Sequence, residues 1–285
     1  MWERQGSSVW GTVLLAAASL TLVYCGESAK NQGGSETGRV SARLTPVDTI
    51  SQASMSTTIV GPVSYADAES AYTEKRFDEA VTRFKGYTAT KPENPWGHYM
   101  LGLSAWKVRD FDQAESELLK AIELDSTHVK SRINLARVYL DKGEPGKAEE
   151  QVQVVVKLDS ASGEAFRLLG RVRDDLKMYP EAEEAYRTAI EIDSTDVWAM
   201  NNLGLNLIKQ GKLETSVEVL TKVTEIKPES PTFQNNLGMA LELNGRFTDA
   251  TKAYQEAVNL DAKYQKAVDN LARVTGLKDK VVTPS

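Results

Sequence analysis

A unit of 34 residues recurs six times without insertion between residues 61 and 264, and a spacing that strict leaves few folds open. One column reads Ala80, Ala114, Ala148, Ala182, Ser216 and Ala250. The column seven residues on reads Tyr87, Ala121, Val155, Ala189, Val223 and Ala257. A unit this short cannot bury an apolar face alone, so the copies 61–94, 95–128, 129–162, 163–196, 197–230 and 231–264 must stack and bury it against one another. Such a stack presents a long surface, which directs expectation toward binding rather than chemistry.

Within residues 197–230, Met200, Leu203, Leu207 and Ile208 fall at helical spacing. Gly211 interrupts them, and Leu213, Val217, Leu220 and Val223 resume the pattern. The unit therefore reads helix, tight turn, helix. Gly143, Gly211 and Gly245 share the column where a residue free to take positive φ ends the first helix. Gly102, Ala136, Gly170, Gly204 and Gly238 in the first helix, with Ala114, Ala148, Ala182 and Ala250 in the second, are small enough for close helix packing. Junctions such as Leu124-Asp125-Ser126 and Ile192-Asp193-Ser194 are short and polar, ending one helix and capping the next. After the last unit, Val268, Leu271 and Ala272 keep the first-helix spacing, which predicts a capping helix over 265–276, stopped by Gly276 and followed by a polar tail, 277–285.

Leu203-Gly204, Gly211, Leu220, Val223 and Pro228 fit the columns of the tetratricopeptide repeat, as do Leu237-Gly238, Gly245, Phe247, Ala250, Tyr254 and Ala257. The chain resembles that family over residues 61–264. The first unit fits least, keeping Ala68, Phe77, Ala80, Phe84 and Pro92 but placing Asp67 in a large apolar column. The resemblance implies an all-α fold, a right-handed α-α superhelix of six helix hairpins plus the capping helix, with first helices lining a concave groove. It also implies that the groove holds peptide segments or partner proteins. In some relatives asparagines of the sixth column form a ladder that clamps a peptide backbone, and here that column holds Asn134, Asn202, Asn236 and Asn270, interrupted by Leu168 and ended by Met100. Family geometry sends further columns into the groove: Trp96, Tyr99, Leu103 and Trp106 from the second unit, Arg137, Arg167 and Arg171 from the third and fourth, and Trp198, Leu205 and Ile208 from the fifth. Aromatic and arginine side chains are the types enriched in binding hot spots. The alternative is that these residues only hold neighbouring hairpins together. The carboxylate clamp of co-chaperone repeats is not reproduced, since Asn134 is followed by Arg167 and Arg171 rather than by the full set.

Residues 1–60 hold four basic and four acidic side chains, so the net charge of −6 lies on residues 61–285 and nucleic acid is not an expected partner. An apolar run, residues 9–24, ends at Cys25, the chain's one cysteine. It is about as long as a signal-peptide apolar region and shorter than a spanning helix. Leu22-Val23-Tyr24-Cys25-Gly26 resembles a bacterial lipobox, which implies cleavage before Cys25, lipid attachment there and anchoring at the cell envelope on the periplasmic side. Tyr24 stands where that motif usually has Gly, Ala or Ser, so an uncleaved helix, an ordinary secretory signal or an unmodified cytosolic cysteine stays open. Residues 26–60, rich in Gly, Ser and Thr, read as a disordered linker of roughly 30–35 Å root-mean-square reach.

Catalysis is not expected. His98 and His128 occupy different positions of one unit, no cysteine lies in the repeats, and neither a phosphate-binding loop nor a nucleophile elbow occurs, so no metal or cofactor is implied. Ser104 and Lys107 match S-x-x-K without its companion motifs. The pairs Glu149 and Glu150, and Glu183 and Glu184, are read as solvated faces. The functional expectation is a tethered, non-enzymatic scaffold resembling bacterial repeat-containing envelope lipoproteins. The alternative is a recognition or carrier subunit for a separate enzyme, as in protein glycosylation or peptidoglycan remodelling.

Overall fold

The computed structural model describes residues 63–282, with side chains described as far as residue 276. Cys25, the preceding apolar run and the linker read over 26–60 lie outside the described residues. Helices pair in sequence: α1 (Tyr65–Thr73) with α2 (Phe77–Thr90), α3 (Pro95–Lys107) with α4 (Phe111–Leu124), and α5 (Val129–Lys142) with α6 (Pro145–Leu158). The next pairs are α7 (Gly163–Asp175) with α8 (Tyr179–Ile192), α9 (Val197–Lys209) with α10 (Leu213–Ile226), and α11 (Pro231–Leu243) with α12 (Phe247–Leu260), before a final α13 (Gln265–Val282). The fold is an all-α superhelical stack of hairpins. From α3 onward each first helix begins 34 residues after the previous one.

Local chemistry sets these boundaries. Asn94, Ser162, Asp196 and Ser230 each accept a hydrogen bond from a first-turn backbone N–H through a side-chain oxygen, and His128 does so through Nδ1. The aspartates of the junctions act one step earlier: Asp125, Asp159, Asp193 and Asp261 end the second helices and accept from the backbone N–H two residues on, tightening the turn. The hairpin turn takes a left-handed residue every time. Gly143, Gly211 and Gly245 have φ of 76°, 74° and 77°, and where glycine is missing Lys75, Arg109 and Lys177 adopt 62°, 66° and 63°.

Hairpins close around one contact, the eighth position of the first helix against the middle of the second. A Cβ on Gly102 would lie 2.8 Å from Leu118, on Gly204 2.5 Å from Leu220, and on Gly170 or Gly238 2.6 Å from Tyr186 or Tyr254. In the third hairpin the same columns hold Ala136 and Val152, so a larger residue on one side accompanies a smaller one on the other. Successive first helices touch from α1 through α13, whereas no two second helices do. A stack that meets along one layer and parts along the other must curve, with the first helices on the inside.

The first helix of the opening unit starts at Tyr65, capped by Ser64, and is shorter than its successors. The end of the capping helix needs correcting. The last helix does not stop at Gly276 but continues to Val282. An isolated glycine costs a helix only about 1 kcal/mol, and Leu277, Lys278 and Lys280 beyond it are good helix formers.

Candidate functional site

The inner layer falls into three parts. At α3 and the start of α5, Trp96 is 44% exposed and meets Tyr99 edge-on at 5.7 Å and His128 at 4.5 Å between ring centroids. The Lys130 ammonium lies 5.5 Å from the Trp96 ring. His128 is buried as the cap of α5, its Nδ1 accepting from the Ser131 backbone N–H at 3.2 Å, and burial pushes its imidazole below the ordinary histidine value. Nδ1 as acceptor fixes the proton on Nε2, on the ring that packs against the indole. Tyr99 and Leu103, expected in the groove, are 9% and 8% exposed, because the close approach of successive first helices covers them. Trp106 is half-buried and donates from Nε1 to Asp141 Oδ2 at 2.8 Å, tying α3 to α5.

The middle is charged and internally paired. Asn134 donates to the Lys130 carbonyl at 2.9 Å and to the Tyr99 hydroxyl at 3.4 Å, and accepts from Arg137 at 3.1 Å. Arg137 also pairs with Glu164 at 2.5 Å, and Arg167 contacts both oxygens of Asp196 at 2.8 Å. These arginines therefore already have carboxylate partners that bridge adjacent hairpins. Arg171 is half-buried on the same helix.

Asparagines of the C-terminal part form a relay. Asn270 donates to Asn235 at 2.8 Å, Asn235 to Asn236 at 3.5 Å, Asn236 to Asn201 at 2.8 Å, and Asn201 to Asn202 at 3.5 Å. Three of the expected ladder residues thus come together, but through Asn201 and Asn235, which the column reading passed over. The Asn-Asn doublets 201–202 and 235–236 were the available signal. Asn134 and Asn236 are 7% and 8% exposed, while Asn202 and Asn270 are half-buried. Trp198 leans on Phe233 at 5.0 Å, and Trp198, Leu205 and Ile208 each keep part of their surface open.

On the outer layer the acidic pairs divide, contrary to the solvated reading. Glu150 and Glu184 are exposed, but Glu149 pairs with Arg173 at 3.3 Å and Glu183 with Lys212 at 2.7 Å and Arg187 at 2.9 Å. Burial pushes the Glu183 carboxyl up, but hydrogen bonds from Lys212, Arg187 and Gln210 more than offset it and hold the group below its ordinary value. The reason is geometric: neighbouring side chains of an α-helix point about 100° apart, so one glutamate of each pair reaches the next hairpin and the other faces solvent. His98 sits between Glu117 at 2.7 Å and the Pro92 carbonyl at 3.0 Å, and the Ser104 hydroxyl donates to the Met100 carbonyl at 2.7 Å. Among the described residues no group of three or more metal-ligating side chains converges, and no helix is long and apolar enough to cross a membrane.

The tetratricopeptide repeat model matches residues 65–129, 99–162, 133–197 and 201–268. A search of curated proteins gives no match. Among solved structures, MamA is 28% identical with a TM-score of 0.52, over 58% of this chain and 97% of its own. YrrB, a TPR protein with an unusual peptide-binding site, is 20% identical with a TM-score of 0.51, over 65% and 96%. The Cut9–Hcn1 hetero-tetramer of APC/C is 16% identical with a TM-score of 0.63, over 73% and 41%. Matched across its six hairpins, the chain belongs to the tetratricopeptide repeat family, whose members are generally protein-interaction scaffolds.

Proposed function

We propose that this protein is a membrane-tethered scaffold of a bacterial envelope that holds segments of partner proteins along its first helices. The observation that carries this reading is the accessible surface left on that layer by Trp96, Trp106, Trp198, Leu205 and Ile208, on helices whose other faces are packed into hairpins. Large apolar side chains held by rigid elements beside polar groups are what a protein partner needs for an anchor. The tether rests on Cys25 at the end of the uncharged apolar run. The asparagines serve first to join hairpins, and only the half-buried Asn202 and Asn270 keep surface for a partner backbone.

A photo-crosslinking residue placed at Leu205 tests the groove, with one at Leu119, 43% exposed on α4, as the outer-layer control. The expected result is a discrete adduct from position 205 in intact cells and none from 119; equal labelling from both would refute a groove-specific role. Incorporation of a palmitate analogue should mark the full chain and disappear in Cys25→Ala, and an unmarked parent protein rules out the lipid tether.

A further inference from the structure

The two layers of the stack carry opposite charge. Helices α1, α3, α5, α7, α9 and α11 hold nine basic and seven acidic side chains, whereas α2, α4, α6, α8, α10 and α12 hold eight basic and seventeen acidic ones. Most inner-layer charges are matched at home: Arg137 by Glu164, Arg167 by Asp196, Lys209 by Asp174 and Lys142 by Asp112 and Glu115. Lys107 and Lys130 differ. Both are exposed with no carboxylate within ion-pair distance among the described residues; Lys107 stands 5.0 Å from the Trp106 ring and Lys130 5.5 Å from Trp96, the most exposed aromatic ring of the inner layer.

That ring is held in place. Tyr99 and His128 grip Trp96 edge-to-face from the protein side, so the indole is fixed before any partner arrives and little side-chain entropy is lost on binding. Of the nearby carboxylates, Glu164 is neutralised by Arg137, while Asp141 accepts the Trp106 N–H and keeps its charge. The geometry points to an acidic, extended segment of a partner protein at this corner, one aliphatic side chain packing on the Trp96 indole and a neighbouring carboxylate pairing with the Lys130 ammonium. This rests on the groove reading and gives it a chemical class and an address. Polyphosphate is the poorer candidate, because two separate unmatched ammonium groups on the inner layer of a chain of net charge −6 offer no track for a phosphate backbone.

The test uses the full chain in neutral detergent and two fluorescein-labelled dodecapeptides, one repeating Gly-Leu-Glu and one repeating Gly-Leu-Lys, followed by fluorescence anisotropy. The Glu peptide should bind about tenfold or more tightly than the Lys peptide and weaken as salt rises. Trp96→Ala should weaken it about tenfold, and Lys130→Glu should abolish or reverse the preference. Lys130 is exposed, so that variant keeps its fold, which a circular dichroism melt verifies. Equal affinity for both peptides, a preference unmoved by Lys130→Glu, or no binding of the Glu peptide overturns the assignment. The crosslink from Leu205, two hairpins away on α9, reports on the groove independently and separates failure of this corner from failure of the groove.

Discussion

His128 shows how much one side chain can join. It caps α5, supports the Trp96 ring, and lies beside Tyr99, Asp125 and Lys130, of which Asp125 favours and Lys130 disfavours its protonation. Burial is the largest influence, so the folded imidazole titrates below the unfolded one, whose ordinary value is 6.5. The stabilising contribution is therefore complete above about pH 6.5 and is lost as pH falls through the window beneath it, since the unfolded chain takes up the proton first. Between pH 7.5 and 5.5 the parent protein should lose stability that His128→Asn keeps, because Asn still caps but does not titrate. Urea unfolding at the two pH values measures this, and an identical loss in both proteins would show that His128 is not its source. The sequence marked His128 only as a non-catalytic histidine; its role depends on Trp96, which lies 32 residues earlier and meets it only once the hairpins stack.

At the scale of the helix and its turn, most of the structure was legible. Gly143, Gly211 and Gly245 announced left-handed residues, and the small residues of the first helices announced tight packing, because each is a local requirement met within one unit. The turns at Lys75, Arg109 and Lys177 were less visible: the flanking helices impose the conformation, and the side chains tolerate it at a cost of about 1–2 kcal/mol each. Lys177→Gly should therefore raise stability by up to about 1 kcal/mol, after allowing for the greater freedom of glycine in the unfolded chain. Gly238→Ala should lower it by about 1–3 kcal/mol, because the new methyl would stand 2.6 Å from the ring of the fully buried Tyr254. Paired denaturation curves of these two variants check both signs, and a neutral Gly238→Ala would mean that the α11–α12 packing is looser than its spacing indicates.

For the whole stack, the period predicted hairpins, but it could not show how each joint is filled, because that depends on which side chains of neighbouring copies meet. One apolar cluster runs from Ala68 to Ala185, a second joins Val217 to Val274, and only small clusters bridge them. Part of the joint between the fourth and fifth hairpins is instead polar. The buried Asp174 accepts from the Tyr186 hydroxyl at 3.1 Å and from Asn206 at 2.8 Å, with Lys209 at 3.4 Å, while Gln210 and Lys212 reach Glu183. Satisfied polar groups add little net stability compared with the same area of packed hydrocarbon, but they are costly to leave half-paired. In a stack whose stability is a sum over hairpins and their interfaces, this joint is where cooperativity should break first. Asp174→Ala, which removes the buried carboxylate shared by Tyr186, Asn206 and Lys209, should cost about 2–4 kcal/mol. The loss should be unevenly distributed: hydrogen exchange should accelerate across α9 to α13 by a larger factor than across α3 to α6, as the C-terminal hairpins open without the rest. Uniform acceleration from α3 to α13 would instead mean that the six hairpins unfold as one unit and that the polar joint transmits cooperativity as well as an apolar one.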